Sequence, residues 1–212
     1  MHITIIAKSP VPGLVKTRMC PPCSSEQAAA VAAAALNDTI AEINAIVSPC
    51  EVRRILLWDG EPMHVVPDGY EVVVQQGNGL GARLANGFRQ LGPGVIIGME
   101  TPHAAFALAD AIRAVASGID TIGLATDGGY WSIGLCASTL EIVDDVFAGV
   151  QMSRSHTGLA QLRRLHELGR KVRLLPMARD LDNFDDLRSV ANSGRAGELP
   201  PLARALVNAI GQ

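Results

Sequence analysis

Apolar residues along this chain follow two rhythms that take turns. Short runs of branched aliphatics, such as ITIIA at 3–7 and GVIIGME at 94–100, have the length of strands covered on both faces. Between them lie stretches in which apolar residues recur every three to four positions, the spacing of a helix with one buried side. The first rhythm predicts strands over 3–7, 51–59, 70–76, 94–100, 119–125, 129–135 and 171–176. The second predicts helices over 24–46, 80–91 and 153–169, and two short ones near the C-terminus. Ser24 and Gln27 make a capping box for the first of these. Another helix is expected after Thr101 as its cap, with Pro102 in its first position and a stop at Gly118.

Strand and helix alternate almost throughout, which predicts a three-layer α/β/α sandwich around a mostly parallel, twisted sheet of about seven strands. The segment 129–135 follows 119–125 too closely for a crossover helix, so it is expected to be the one antiparallel strand. No linker, composition break or internal repeat divides the chain, and one domain over 1–212 is expected. Sheets of this kind place their ligands at the carboxyl ends of the strands.

Composition narrows the function. The 212 residues are 48% hydrophobic but only 4% aromatic, so the core must be aliphatic. A net charge of −3 gives no broad basic face, and nucleic acid is not expected as a partner. No apolar run reaches membrane-spanning length. MHITIIAK reads as a strand rather than a signal peptide, and a cytoplasmic location is expected. Of the four cysteines, Cys20, Cys23, Cys50 and Cys136, only the first two form a motif, CPPC. A redox pair would sit close behind a strand; here a long proline-rich loop intervenes, and the motif reads as two loop cysteines.

The residues with chemistry fall just after predicted strands. AKSPVPGLVKTR (7–18) holds Lys8, Lys16 and Arg18, the only Lys, Arg, Asp or Glu residues among the first 25. Gly13 allows close backbone approach, and Pro10 and Pro12 stiffen the path. A cationic loop without a neutralising acid can hold a polyanion, although a plain solvated loop has the same composition. It is not a GxxxxGK[ST] phosphate loop, because Val15 stands where the second glycine belongs. Acids follow later strands. Glu100, in GMETPH, is placed either to bind Mg²⁺ or simply to complement a helix dipole. Asp127, in TDGGYW, sits at a ligand-accommodating or ordinary turn. Asp180 and Asp182, in ARDLDNFDDL, face opposite sides if extended, and Asp182 could instead cap the next helix. His103, on the first turn of a helix, and His156, in SRSHTG, are lesser candidates. Cations after the first strand and acids after the fourth, fifth and seventh would converge on one rim, as in a metal-bridged nucleotide site.

With these residues in view, the chain resembles the bacterial glycosyltransferase-like family with the nucleotide-diphospho-sugar transferase (GT-A) fold. AKSPVPGLVKTR resembles that family's opening signature, GNGLGARLANGF its glycine-rich motif, GMETPH its Gly-x-Asp-x-Pro motif, DGGYWSIGL its Asp-Gly-Gly-Tyr motif and DLDNFDDL its closing Asp-x-Asp motif. The resemblance implies a nucleoside diphosphate-sugar or nucleoside triphosphate as ligand, with Mg²⁺ or Mn²⁺, and a small-molecule acceptor. It implies that Lys8, Gly13, Lys16 and Arg18 lie around the phosphates, and that Gly77, Gly79 and Arg83 line the nucleotide. It implies Glu100 and Asp182 at the metal, and Asp127 and Tyr130 at the sugar or acceptor. The family usually has aspartate where this chain has Glu100, one methylene longer. Two further readings stay open. One is nucleotidyl transfer from a triphosphate to a phosphorylated small molecule, as in deazaflavin-cofactor guanylyltransferases, with Arg154, Arg163 or Arg164 supplying a second basic pocket. The other is a nucleotide-binding module that has lost catalysis, for which Glu100 is the main argument.

Overall fold

Each segment expected to be extended is a strand: β1 (His2–Lys8), β2 (Arg53–Asp59), β3 (Tyr70–Val74), β4 (Gly94–Gly98), β5 (Asp120–Ala125), β6 (Tyr130–Leu135) and β7 (Val172–Ala178). The computed structural model describes residues 1–48, 51–61 and 65–211, apart from the side chains at 102, 103 and 105. Cys50 and the side chain of His103 therefore lie outside the described residues. The strands form one sheet in the order β3-β2-β1-β4-β6-β5-β7. β6 is antiparallel to both its neighbours, and every other pair is parallel. From β1 the chain moves outward to β2 and β3, then returns to place β4 on the other side of β1. The carboxyl ends of β1 and β4 thus flank the point where strand order reverses, the usual crevice of such sheets.

Alternation along the strands sends side chains to two cores. Ile3, Ile5, Leu56, Val95 and Ile97 meet Ala29, Ala32, Leu36, Ile40 and Ile43 of α1 (Ser25–Ile46) on one face. Leu57, Ile96 and Ile133 meet Leu84 and Phe88 of α2 (Leu80–Leu91), and Val146 and Leu165, on the other. The opposite side of α1, Ala28, Val31, Ala34 and Ala35, packs on Leu187 of α7 (Phe184–Ala191) and Leu199 and Ala203 of α8 (Leu199–Ile210). A helix pressed between a sheet and further helices has room for small side chains, which accounts for its run of alanines. Ser24 and Gln27 form the expected capping box.

Some local expectations fail for identifiable reasons. After β4 the chain makes a 3₁₀ turn (Pro102–Ala107) before α3 (Leu108–Ala116). Thr101 does not cap it: its hydroxyl has no hydrogen-bond partner, and its carbonyl accepts from Ala104 N in the tight turn. The helix expected from residue 153 begins at Thr157, as α6 (Thr157–Glu167). The residues before it close on the Asp-Gly-Gly turn, where Gly128 lies against the Ser155 carbonyl. Two short helices, α4 (Ala137–Leu140) and α5 (Val143–Phe147), were not foreseen. Asp182 is not the cap of α7. Asn183 takes that role, accepting from Asp185 N and Asp186 N at 2.9 and 3.1 Å. The CPPC thiols are free, and burial followed by the neighbouring Cys20 pushes Cys23 upward, the opposite of an activated redox thiol.

Candidate functional site

Lys16 is the centre of the rim. Its backbone is left-handed (φ 50°), a costly conformation for a residue with a Cβ, and it carries the side chain inward to only 3% exposure. There the ammonium meets Glu100 Oε2 at 2.5 Å and Asp182 Oδ1 at 3.8 Å, and donates to the Leu181 carbonyl. Arg18 Nη1 reaches the other oxygen of Asp182 at 2.9 Å. One network of ion pairs therefore joins the loop after β1, the end of β4 and the segment after β7. The last lies far away in sequence, and β7 is the edge strand three places from β4; the chain beyond it crosses back to reach Lys16.

An open cleft of about 380 Å³ adjoins this network. Its floor is formed by the ends of β1, β4 and β6; Lys8, Gly79, Arg83, Glu100 and Tyr130 line it. Gly79 (φ 86°) starts α2 with open space where a side chain would stand, which leaves the backbone approachable from the cleft. Arg83 is braced by Asp59 at 2.6 Å and by Gln75 Oε1 at 3.1 Å; Gln75 in turn donates to the carbonyls of Ala7 and Leu57. The Tyr130 hydroxyl lies 3.6 Å from Met152 Sδ, and burial pushes it upward.

The carboxylates are crowded. Asp180 lines the cleft beside Glu100, and its carboxyl is pushed up to about 7 by burial and then by Asp127, Glu100 and Asp182, with Lys16 pulling the other way. Burial likewise pushes Glu100 upward, opposed by Lys16. Among the described residues no three acidic, histidine or cysteine side chains converge closely enough to hold a metal by themselves. Mg²⁺, however, is typically held by one or two carboxylates together with substrate phosphates. Hard oxygen donors with more negative charge than Lys16 can offset fit such an ion, and Mn²⁺ takes the same donors.

Not every expected residue reaches the cleft. Gly13 is an exposed turn (φ 79°) with nothing around it. Gly77 packs against Ala82, 2.9 Å from where its Cβ would be, and shapes the turn into α2. Asp127 is exposed and accepts from Gly129 N at 2.8 Å; it borders the rim through its field on Asp180. Arg163 and Arg164 pair with Glu167 and Asp145 on a helix face, and neither lines the cleft. Asp180, singled out in the sequence with Asp182 but given no role, belongs to the cleft wall. Sequence reasoning missed two further residues there. Thr101 and Ser132 line the cleft with hydroxyls that are buried and without partners, and no sequence signal distinguishes them from core hydroxyls.

Comparison with known proteins adds context. Residues 31–154 match the family model described as "Uncharacterized protein conserved in bacteria (DUF2064)". No curated protein matches the chain. A crystal structure from Desulfovibrio desulfuricans G20, described as a "putative nucleotide-diphospho-sugar transferase", superposes with TM-score 0.85 and 22% identity over 99% of this chain and 97% of that one. Rv0371c from Mycobacterium tuberculosis H37Rv superposes with TM-score 0.54 and 18% identity over 89% and 96%. Its manganese complex gives 0.51 and 18% over 89% and 97%. At these identities the likeness establishes the fold, that of the nucleotide-diphospho-sugar transferases.

Proposed function

The chain belongs to the DUF2064 family of proteins conserved in bacteria, and on that footing we propose that it is a glycosyltransferase-like enzyme. It takes a nucleoside diphosphate-sugar with a divalent metal and transfers the sugar to a small-molecule acceptor. The observation that carries this is the buried Lys16 ammonium, held between Glu100 and Asp182 beside an open cleft at the strand-order reversal. The fold shared with a protein described as a "putative nucleotide-diphospho-sugar transferase" supports the donor class. A neighbour crystallised with manganese supports the metal. We take residues 1–212 as one domain. The free cysteines suit a reducing, cytoplasmic location, and no helix among the described residues is long and apolar enough to cross a membrane.

In this reading the diphosphate lies across Lys8, Lys16 and Arg18, with Gly79 and Arg83 along the nucleotide. Glu100 and Asp182 would hold Mg²⁺ or Mn²⁺, which supplies positive charge to the diphosphate when bound. In the transfer, the acceptor's hydroxyl oxygen bonds to the sugar carbon as that carbon's bond to the diphosphate oxygen breaks. The diphosphate leaves with the electron pair, and the hydroxyl proton passes to Asp180, a carboxylate lining the cleft, which Asp127 at the rim influences through its charge. Lys16 and Arg18 stabilise the leaving charge; one such pre-placed donor is worth roughly 3–4 kcal/mol in a transition state. Tyr130 presents its ring to the sugar side of the cleft. The methylene that Glu100 adds over aspartate lets it reach Lys16 and the rim together.

A thermal-shift panel tests this. UDP-glucose, GDP-mannose and the common nucleoside triphosphates are each added with and without Mn²⁺. A ligand at 100 times its Kd adds about 2.7 kcal/mol of stability. The proposal expects metal-dependent stabilisation by a sugar nucleotide. A shift confined to triphosphates would favour nucleotidyl transfer instead, and binding indifferent to metal would favour a module without catalysis. The pairing of Arg163 and Arg164 with acids already weighs against a second basic pocket there.

A further inference from the structure

A second cavity, of about 170 Å³, opens between α1 and the α7–α8 layer. Glu100 and Asp180 line both this cavity and the cleft. A molecule in this cavity and a nucleotide in the cleft would therefore meet at two shared carboxylates. The remaining wall is largely apolar, from Leu181, Val190, Ala196, Leu199 and Pro200.

Charge decides what it can take. Asp38, Glu42, Glu100, Asp180 and Asp186 face Arg179 and Arg195. Arg179 is already engaged by Ser189 at 2.7 Å and lies 3.8 Å from Asp186. The start of α8 offers backbone N–H groups of the kind that draw a phosphate. Asp38 has taken these, accepting from Glu198 N and Leu199 N at 2.7 and 3.0 Å. Gly197 (φ 125°) permits this, since a side chain there would collide with the Asp38 carboxylate. A phosphorylated ligand would enter an acid-lined pocket whose helix N-terminus is already occupied.

We propose that this cavity is the acceptor pocket, and that the acceptor is an uncharged, hydroxyl-bearing small molecule with an apolar body and no phosphate. The inference rests on the sugar-transfer reading above and adds to it the acceptor's chemical class. The acceptor's hydroxyl points past Glu100 and Asp180 toward the sugar carbon, and the bonds change as described there.

The test uses ligand-observed NMR titrations of the full chain with phenyl glucoside and hexylglycerol, each beside its phosphate monoester. UDP, GDP and ADP with Mn²⁺ are titrated into the same samples. Ser193→Trp and Ala196→Trp fill the cavity mouth from two exposed loop positions, so that a folding defect in one leaves the other. At least one alcohol should bind the wild type, its phosphate ester at least tenfold more weakly, and either tryptophan should weaken the alcohol at least tenfold. Nucleotide binding should change less than twofold. No alcohol binding, equal binding of the phosphate ester, or alcohol binding untouched by both tryptophans would overturn the pocket assignment. If none of the nucleotides bound any of the proteins, the reading of the cleft would fall and the acceptor role with it, whatever the alcohols did.

Discussion

Asp120, at the amino end of β5, and Asp180, just past the carboxyl end of β7, are both carboxylates among packed protein, and the fold treats them in opposite ways. Asp120 is fully buried and accepts from Cys136 N at 2.8 Å, from Thr139 Oγ1 at 2.8 Å and from Arg170 Nε at 3.2 Å. His2, at the amino end of β1, is equally well served. Its Nε2 can only donate to the Gly92 carbonyl, which leaves Nδ1 to accept from Thr4 Oγ1 and fixes a neutral ring. Asp180 has acids for neighbours and an ammonium that Glu100 and Asp182 already claim. Saturated charge at one end of the sheet fastens the fold; crowded charge at the other is what a metal and a diphosphate would relieve.

The largest expected effect comes from breaking the saturated end. Asp120→Ala leaves Arg170 without its carboxylate and two buried donors unpaired, and should cost about 3–5 kcal/mol in urea denaturation. Nucleotide binding per folded molecule should be unchanged. A loss below about 1 kcal/mol would mean that this carboxylate fastens nothing.

Next is the acid limb of the stability curve. Burial holds His2 down at about 4, against 6.5 when unfolded, so the unfolded chain binds the extra proton first as pH falls. The His2 contribution is therefore full above about 6.5 and declines toward pH 4, by up to about 3 kcal/mol. Denaturation midpoints should show wild type losing ground to His2→Gln as pH falls across that window.

At the crowded end, substitutions should act on ligands more than on folding. Lys16→Ala removes charged hydrogen bonds worth about 1.5–3 kcal/mol, so binding of a nucleoside diphosphate with Mn²⁺ should weaken by about ten- to a hundredfold. Unchanged affinity in calorimetry would take the lysine out of the site. The last is a slope of the opposite sign. With chelator present, Asp180 holds its proton up to about 7 when folded and 3.8 when unfolded, so its contribution is present below 3.8 and fades as pH rises to 7. Asp180→Asn should gain on wild type between pH 4 and 7. A constant difference would show that Asp180 is not crowded.

Much of this architecture was legible in the residues. Branched aliphatic runs gave the seven strands their places, and the short connection before Tyr130 required β6 to run antiparallel. Ser24 and Gln27 marked the start of α1. What could not be read is what tertiary packing decides. Thr101 looks like a cap, but the chain tightens into a 3₁₀ turn and leaves its hydroxyl buried without a partner. Gly13 and Gly77 carry the composition of a ligand loop, yet one stands in open solvent and the other packs on α2. The meeting of Lys16 with Glu100 and Asp182 joins residues from three distant segments: strand order sets β1 beside β4, and the chain beyond the edge strand β7 crosses back to them, neither of which periodicity encodes. The second cavity depends on how α7 and α8 sit on α1, and no motif announces it.

The central claim is that the carboxyl-end rim binds a metal and a diphosphate as one unit. Isothermal titration of Mn²⁺ into the protein, alone and with UDP, GDP or ADP at saturation, tests it directly. The account predicts that one of these diphosphates tightens Mn²⁺ binding at least tenfold and that Glu100→Gln abolishes the gain. Equal Mn²⁺ affinity with and without all three, or a gain that survives Glu100→Gln, would contradict it.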